Sequence, residues 1–368
     1  MKRLEMQVSL GAIAHNARFI RSLIPEHVKM LSVVKADAYG HGAKEVASRL
    51  IREGLNDAFA VATADEGVQL RMNGITGVPI VVLGYSGKES VEDAVEYGLS
   101  QAVFDVRGLE MMRDAAEKLG KEAKAHLKID TGMTRIGVRG KEKLNMLLEC
   151  WDKIENVHME GMFTHFSAAD SDPEFTKMQF DAFSEAMKTV KAHGYTPVLH
   201  AAASTALWKN EYQLDMVRAG IALYGVENGP MKGALRFAQR LITRPSRIER
   251  VKKGDSVGYS RNYICPRDSV IMTLPCGYGD GYPRILSGKA DVLVNGKRAG
   301  IVGNICMDMM MADVTDAGDV NMDSVVTLMG QDGPEAITPE ELSLKANTIP
   351  YEIMLGFAPR IEKRIKDD

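Results

Sequence analysis

Eight short apolar runs alternate with longer amphipathic stretches through the first two-thirds of this 368-residue chain. The runs cover residues 30–34, 58–63, 79–84, 101–104, 125–129, 159–164, 197–200 and 216–224, and are rich in Val, Ile and Leu. Helix-like stretches such as 44–53, 64–73 and 91–98 lie between them. Continuous apolar strands joined by helices predict a parallel sheet covered on both faces. Eight such units in about 225 residues fit a (β/α)8 TIM-type barrel. An open doubly wound sheet is the alternative, but no GxGxxG follows the first strand.

The rhythm changes near residue 235. Short strand-like runs at 248–251, 270–274, 291–294 and 325–329 are separated by turn signals such as Lys253-Gly254-Asp255 and Asn295-Gly296-Lys297. Two domains follow: a barrel over 1–235 and a mostly β C-terminal domain over 236–368. The first ten residues alternate as a strand does, and that strand can join either domain.

Charge and cysteines narrow the function classes. With 46 Lys+Arg against 49 Asp+Glu, the net charge of −3 offers no basic field for nucleic acid or an anionic membrane. No run approaches 18 apolar residues, so no membrane span is expected. Residues 1–10 do not read as a signal peptide. Cys150, Cys265, Cys276 and Cys306 lack CxxC or zinc spacing and read as free thiols of a reducing cytoplasm. No metal is expected.

Barrels place chemistry at the C-terminal ends of their strands. Lys35 sits at the end of the first, where burial lowers a lysine pKa and makes the amine nucleophilic. Taken alone, a lysine snorkelling from the barrel mouth is the commoner case. Lys128 and Asp130 end the fifth strand, with Arg135 in the loop after it. His165 ends the sixth and His200 the seventh. Ser204 reads either as a cap of a following helix or as a phosphate ligand. Arg218 lies on the eighth strand, followed by Gly220 and Ile221 in the region where these barrels bind phosphate. An amine, several cations and a phosphate cradle around one mouth are what pyridoxal 5'-phosphate (PLP) needs.

The segment Val34-Lys35-Ala36-Asp37-Ala38-Tyr39-Gly40-His41-Gly42 closely resembles the PLP-lysine signature of alanine racemases, the fold-type III PLP enzymes. The likeness continues through HLKIDTGMTRIG at 126–137, EGMFTHF at 160–166, MVRAGIALYG at 216–225 and VGYSRNY at 257–263. It ends with GYGDGYPR at 277–284, NICMD at 304–308 and PYEIM at 350–354, with order and spacing kept.

That resemblance implies roles. Lys35 would carry PLP covalently, and Tyr39, Ser204, Gly220, Ile221 and Tyr351 would hold the phosphate. Arg218 would face the pyridine nitrogen and Arg135 the ring hydroxyl. His165 would support the ring or Arg218. Lys35 and Tyr259 would be the two bases, Arg135 and Met307 would border the substrate, and Lys128 would be the lysine often carbamylated in the family. The family further implies a cytoplasmic homodimer with shared sites, interconverting L- and D-alanine and supplying D-alanine for cell-wall peptidoglycan. Ala203 and Thr134 depart from the usual Asn and Gly. Thr134 makes its loop less permissive in backbone angle.

Two other readings compete with this one. A decarboxylase, or a racemase for serine or a larger amino acid, is the first. A decarboxylase is expected to place a carboxylate at the ring nitrogen, against Arg218. The second is a non-catalytic PLP-binding protein, which would resemble the barrel alone and lack the Tyr259 and Met307 domain.

Overall fold

The computed structural model describes residues 3–227 and 229–368, and they form two compact units. One comprises Ile13–Ala38 and Gly42–Leu235. The other comprises the residues up to Ala12, the segment Tyr39–His41, and Arg236–Asp368.

The chain opens with strand β1 (Leu4–Ser9) and helix α1 (Leu10–Ser22). The larger unit then carries eight parallel strands: β2 (Lys29–Val33), β3 (Ala58–Val61), β4 (Ile80–Val82), β5 (Ser100–Val103), β6 (Ala123–Lys128), β7 (Val157–Phe163), β8 (Val198–His200) and β9 (Met216–Ala219). They pair in the order β8-β7-β6-β5-β4-β3-β2-β9. A parallel bridge between Ala203 and Arg218, with Arg218 N–H donating to Ala202 O at 3.0 Å, brings the ends together into a nearly closed (β/α)8 barrel. The eight apolar runs are these strands, buried on both faces because helices cover the outside.

Local chemistry sets the helix starts. Between β2 and β3 lie α2 (Lys35–Gly40) and α3 (Ala43–Arg52), and α4 (Ala64–Met72) follows β3. Thr63 caps α4 by accepting from Glu66 N, and Asp65 and Glu66 place negative charge in its first turn. Asp105 and Asp172 cap later helices in the same way.

The structure departs from two readings. The run 216–224 is a strand only to Ala219, because Ile221–Tyr224 is a buried 3-10 turn. Periodicity cannot separate short buried strands from short buried helical turns. No regular helix begins after Ser204, so that serine caps none.

The second unit is built on a twisted sheet. Strand β10 (Gln239–Thr243) pairs with Val326–Asp332 on one side and antiparallel with β1 on the other. β1 in turn takes Glu362–Lys366 as a parallel neighbour. The opening strand therefore joins the C-terminal sheet. Asp280, fully buried, ties this unit together. It accepts from Arg3 Nη2 at 2.5 Å, Arg360 Nε at 2.7 Å and Gly277 N at 3.0 Å. Burial pushes its carboxyl up, but those donors hold it below the ordinary carboxylate range.

Removing that carboxylate takes a buried acceptor from Gly277 N and from two partly exposed guanidinium groups, of which Arg3 keeps Pro275 O and Arg360 keeps Asp308. Asp280→Ala should destabilise the protein by about 1–3 kcal/mol, as the loss of charge-assisted hydrogen bonds to a buried carboxylate does, read as a fall in the urea midpoint. Because the folded pKa is depressed, the contribution is present above the unfolded value of about 4 and is lost as pH falls through the folded one. The wild-type advantage should therefore shrink below about pH 4, and an advantage that persists unchanged at lower pH contradicts the assignment.

Candidate active site

Lys35 lies two residues past the end of β2 and opens α2. That turn is left-handed: φ is +51° at Ala36, +54° at Asp37 and Ala38, and +53° at Tyr39. Such a conformation costs L-residues about 1–2 kcal/mol each, so the surroundings must hold it. Ala36 N donates to Glu66 Oε1 at 2.7 Å, while the other oxygen of Glu66 accepts from Ala62 N at 2.7 Å. Asp37 Oδ1 accepts from Ala43 N at 2.8 Å, tying the turn to the start of α3. Glu66 thus clips the lysine turn to the end of β3. Nothing in the sequence singles out Glu66.

Arg218 is 3% exposed at the centre of the barrel unit. Its Nη1 donates to His200 O at 3.0 Å and to His200 Nδ1 at 2.9 Å. Its Nη2 donates to Thr164 O at 2.8 Å and Ala201 O at 2.7 Å, and lies 3.3 Å from His165 Nδ1. Burial draws Arg218 down to about 9, which leaves it cationic at neutral pH. Burial and then Arg218 hold His165 at about 3, so its imidazole is neutral.

Lys128, the last residue of β6, sits with its Nζ 5.0 Å from the centre of the Phe163 ring. Burial, with Arg135, Arg218 and Lys35 as cationic neighbours, pulls it to about 7. Lys35 is half-buried, and burial and Arg135 lower it while Glu66 raises it. Arg135 follows Thr134, which adopts φ +56°, the angle for which glycine is suited and a β-branched residue is not. The structure therefore brings Lys35, Lys128, Arg135, His165 and Arg218 into one electrostatic cluster. Ser204 Oγ accepts from Gly220 N at 3.0 Å and Ala222 N at 3.4 Å, which fixes the loop after β9 against it. Ile221 is buried in that loop.

The second unit holds the other residues singled out from the sequence. The rings of Tyr39 and Tyr351 lie 5.9 Å apart. Tyr259 is 71% exposed and Met307 55%, and both line an open hollow of about 550 Å³ with Gly258, Cys306, Met309 and Met311. Ser260 and Arg261, at φ +63° and +51°, follow Gly258 at +73° and give the Tyr259 turn a bend of unusual hand. Asn304 Nδ2 donates to Tyr259 O at 3.0 Å and braces it. All four cysteines are free thiols.

Comparison with known proteins agrees with this arrangement. The chain matches the alanine racemase N-terminal domain over residues 8–228 and the alanine racemase C-terminal domain over residues 238–365. It is 39% identical to "Alanine racemase 2" of Caldanaerobacter subterraneus, over 97% of this chain and 93% of that protein. Among solved structures it resembles the alanine racemase of Clostridium difficile, with TM-score 0.92, 34% identity and coverage of 100% and 97%. It also resembles a histidine racemase of Leuconostoc mesenteroides, with TM-score 0.88, 30% identity and coverage of 99% and 98%. With both domains matched across nearly its whole length, the chain belongs to the alanine racemase family.

Proposed function

We propose that this protein is a PLP-dependent racemase that interconverts L- and D-alanine. The observation that carries the reading is the buried, hydrogen-bonded guanidinium of Arg218 inside a cluster of cationic and neutral basic side chains. The alanine racemase relatives support alanine as substrate, while the histidine racemase neighbour belongs to a fold that serves a larger side chain elsewhere. The reading extends to a cytoplasmic role, supplying D-alanine for peptidoglycan. No helix among the described residues is long and apolar enough to cross a membrane.

The donor set fits PLP. It offers a half-buried amine of lowered pKa, a buried cation, and a serine-braced backbone loop after β9. When bound, PLP supplies the electron sink that lets the Cα–H bond ionise. Lys35 attaches the cofactor and moves the proton on one face of the substrate. Tyr259 moves it on the other, as two-base racemisation requires. Arg218, a permanent donor, would face the ring nitrogen and disfavour a proton there, which would moderate the sink and restrain side reactions. Arg135 would hold the ring hydroxyl and the substrate, His165 would support the ring or Arg218, and Met307 would border the substrate. Ser204, Gly220, Ile221, Tyr39 and Tyr351 would hold the phosphate.

Purified protein loaded with PLP should convert L-alanine in D₂O to Cα-deuterated racemate. Lys35→Ala should abolish this conversion together with covalent PLP attachment, read by mass spectrometry after borohydride reduction, because one amine serves both tasks. Attachment that survives in the variant places the cofactor on another lysine.

Lys128 at about 7 presents a neutral amine in mildly basic buffer, where an ordinary lysine near 10.4 is still charged. Its amine is expected to add to dissolved CO₂, forming an N–C bond and releasing one proton to solvent. The carbamate places an anion between cations that otherwise repel. With ¹³C-bicarbonate, a carbamate carbon signal should grow between about pH 6 and 8 and vanish in Lys128→Met. No signal at pH 8 removes the modification.

Assembly as a two-fold dimer with sites shared between subunits has a separate test. Lys35→Ala and Tyr259→Phe chains, each inactive, are mixed and allowed to exchange. About half the dimers are then mixed, each with one intact site, so about a quarter of wild-type activity should return. Demonstrated exchange with no recovery places both bases in one chain.

A further inference from the structure

Behind Arg218 the barrel unit contains a polar line of three side chains, Glu160, His126 and His200, to which the reaction described above gives no role. It starts at Glu160 on β7. The β6–β7 register slips between Ala125 and His126, which pair with Met159 and Gly161, so Glu160 is the extra residue of a bulge. Bulges re-aim a side chain next to an active site. Glu160 Oε2 lies 3.6 Å from His126 Nε2 and also accepts from Ser100 Oγ, while Oε1 accepts from Lys124 Nζ at 3.1 Å. His126 Nδ1 is 3.0 Å from His200 Nε2, and His200 Nδ1 is 2.9 Å from Arg218 Nη1.

The protons on this line can be assigned from its ends. A guanidinium only donates, so His200 Nδ1 must accept, and the His200 proton sits on Nε2. That N–H donates to His126 Nδ1, so the His126 proton is on its own Nε2, facing the carboxylate. The reverse arrangement would set an N–H of His200 against an N–H of Arg218. An acceptor at one end and a donor at the other leave a single consistent pattern.

The rings are fixed in place for this pattern. Phe163 stacks on His200 at 4.8 Å with planes 10° apart. A Cβ at residue 161 would fall 2.3 Å from the His126 ring, so the glycine there leaves the imidazole its space. His126 beside it, joined by Ser100 and Lys124, holds the Glu160 carboxyl at about 2 against the upward push of burial, so it is an anion at neutral pH. Burial and Arg218 keep His200 neutral.

We propose that Glu160 is a positioning residue that acts through His126 and His200 on Arg218, with both imidazoles locked as their Nε2–H tautomers. The anion makes His126 Nδ1 a better acceptor, which polarises His200 and strengthens its hold on the guanidinium. Arg218 is thereby fixed in place and in charge from the side away from its role at the ring. That last link rests on the ring-nitrogen reading of Arg218.

The test uses the PLP-loaded protein labelled with ¹⁵N-histidine, with His126 and His200 assigned by their Gln variants. Long-range ¹H–¹⁵N correlation should show both residues protonated on Nε2 alone, with scalar coupling across the His200 Nε2–H···Nδ1 His126 bond. A His200 protonated on Nδ1, or a His126 protonated on both nitrogens, overturns the proposal from the wild-type spectrum without any variant at Glu160. Glu160→Gln, which removes the charge and keeps the size, should lower kcat by roughly three- to tenfold at unchanged KM. It should also raise the ratio of transamination to racemisation, a ratio that simple loss of folded protein leaves alone. If that ratio stays fixed while Arg218→Glu shifts it, Glu160 does not act through the line. If neither variant shifts it, the ring-nitrogen reading falls and takes this functional link with it, whereas the tautomers stand on the spectrum.

Discussion

The site is organised by the cost of burying one guanidinium. Arg218 is nearly inaccessible, and a buried cation is tolerated only when its donors are met. Three carbonyls, from Thr164, His200 and Ala201, and the Nδ1 of His200 meet four of its five. Those carbonyls belong to the chain just past β7 and at the end of β8 and beyond, so satisfying Arg218 fixes the course of two neighbouring loops. The same charge then acts on its surroundings. It adds to the burial that keeps His165 and His200 neutral, and it helps draw Lys128 to about 7. Burial comes first for each of these groups, and the charge on β9 reinforces it.

Much of this was legible in the sequence, because barrels combine a regular period with strand-end chemistry. The eight runs mark the strands to within a few residues, and Lys128, His200 and Arg218 stand on β6, β8 and β9 as the pattern implies. At residue 134, where the resemblance marks glycine as usual, Thr134 takes φ +56°, an angle the sequence does not specify. What stayed hidden depends on register and hand rather than on period. Residues 221–224 are apolar and buried whether they form a strand or a 3-10 turn. Ser204 has the composition of a helix cap, yet its oxygen is taken by Gly220 N and Ala222 N. The bulge that turns Glu160 toward His126 is a one-residue slip, invisible in an apolar run. Glu66 carries no signal in the sequence because its partners, Ala36 N and Ala62 N, are backbone groups from other loops.

The left-handed turn after Lys35 shows why such hidden contacts carry weight. Four consecutive non-glycine residues at positive φ would not persist in an isolated peptide. Here the energy comes from contacts made at a distance: Glu66 on Ala36, Asp37 on Ala43, and Val34 O accepting from Ala38 N at 2.8 Å. Glycine at Ala36 or Ala38 would relieve the strain but would also let the turn sample many other conformations. Alanine keeps the turn in one shape at an enthalpic cost, and that shape sets where the Lys35 amine begins. A catalytic amine benefits from such fixity more than the fold suffers from the strain, because misplacement of a reacting group by about 1 Å costs on the order of a hundredfold in rate. The local rule broken at residues 36–39 is therefore offset by the rest of the barrel, at the one strand end where a fixed side chain matters most to the proposed chemistry.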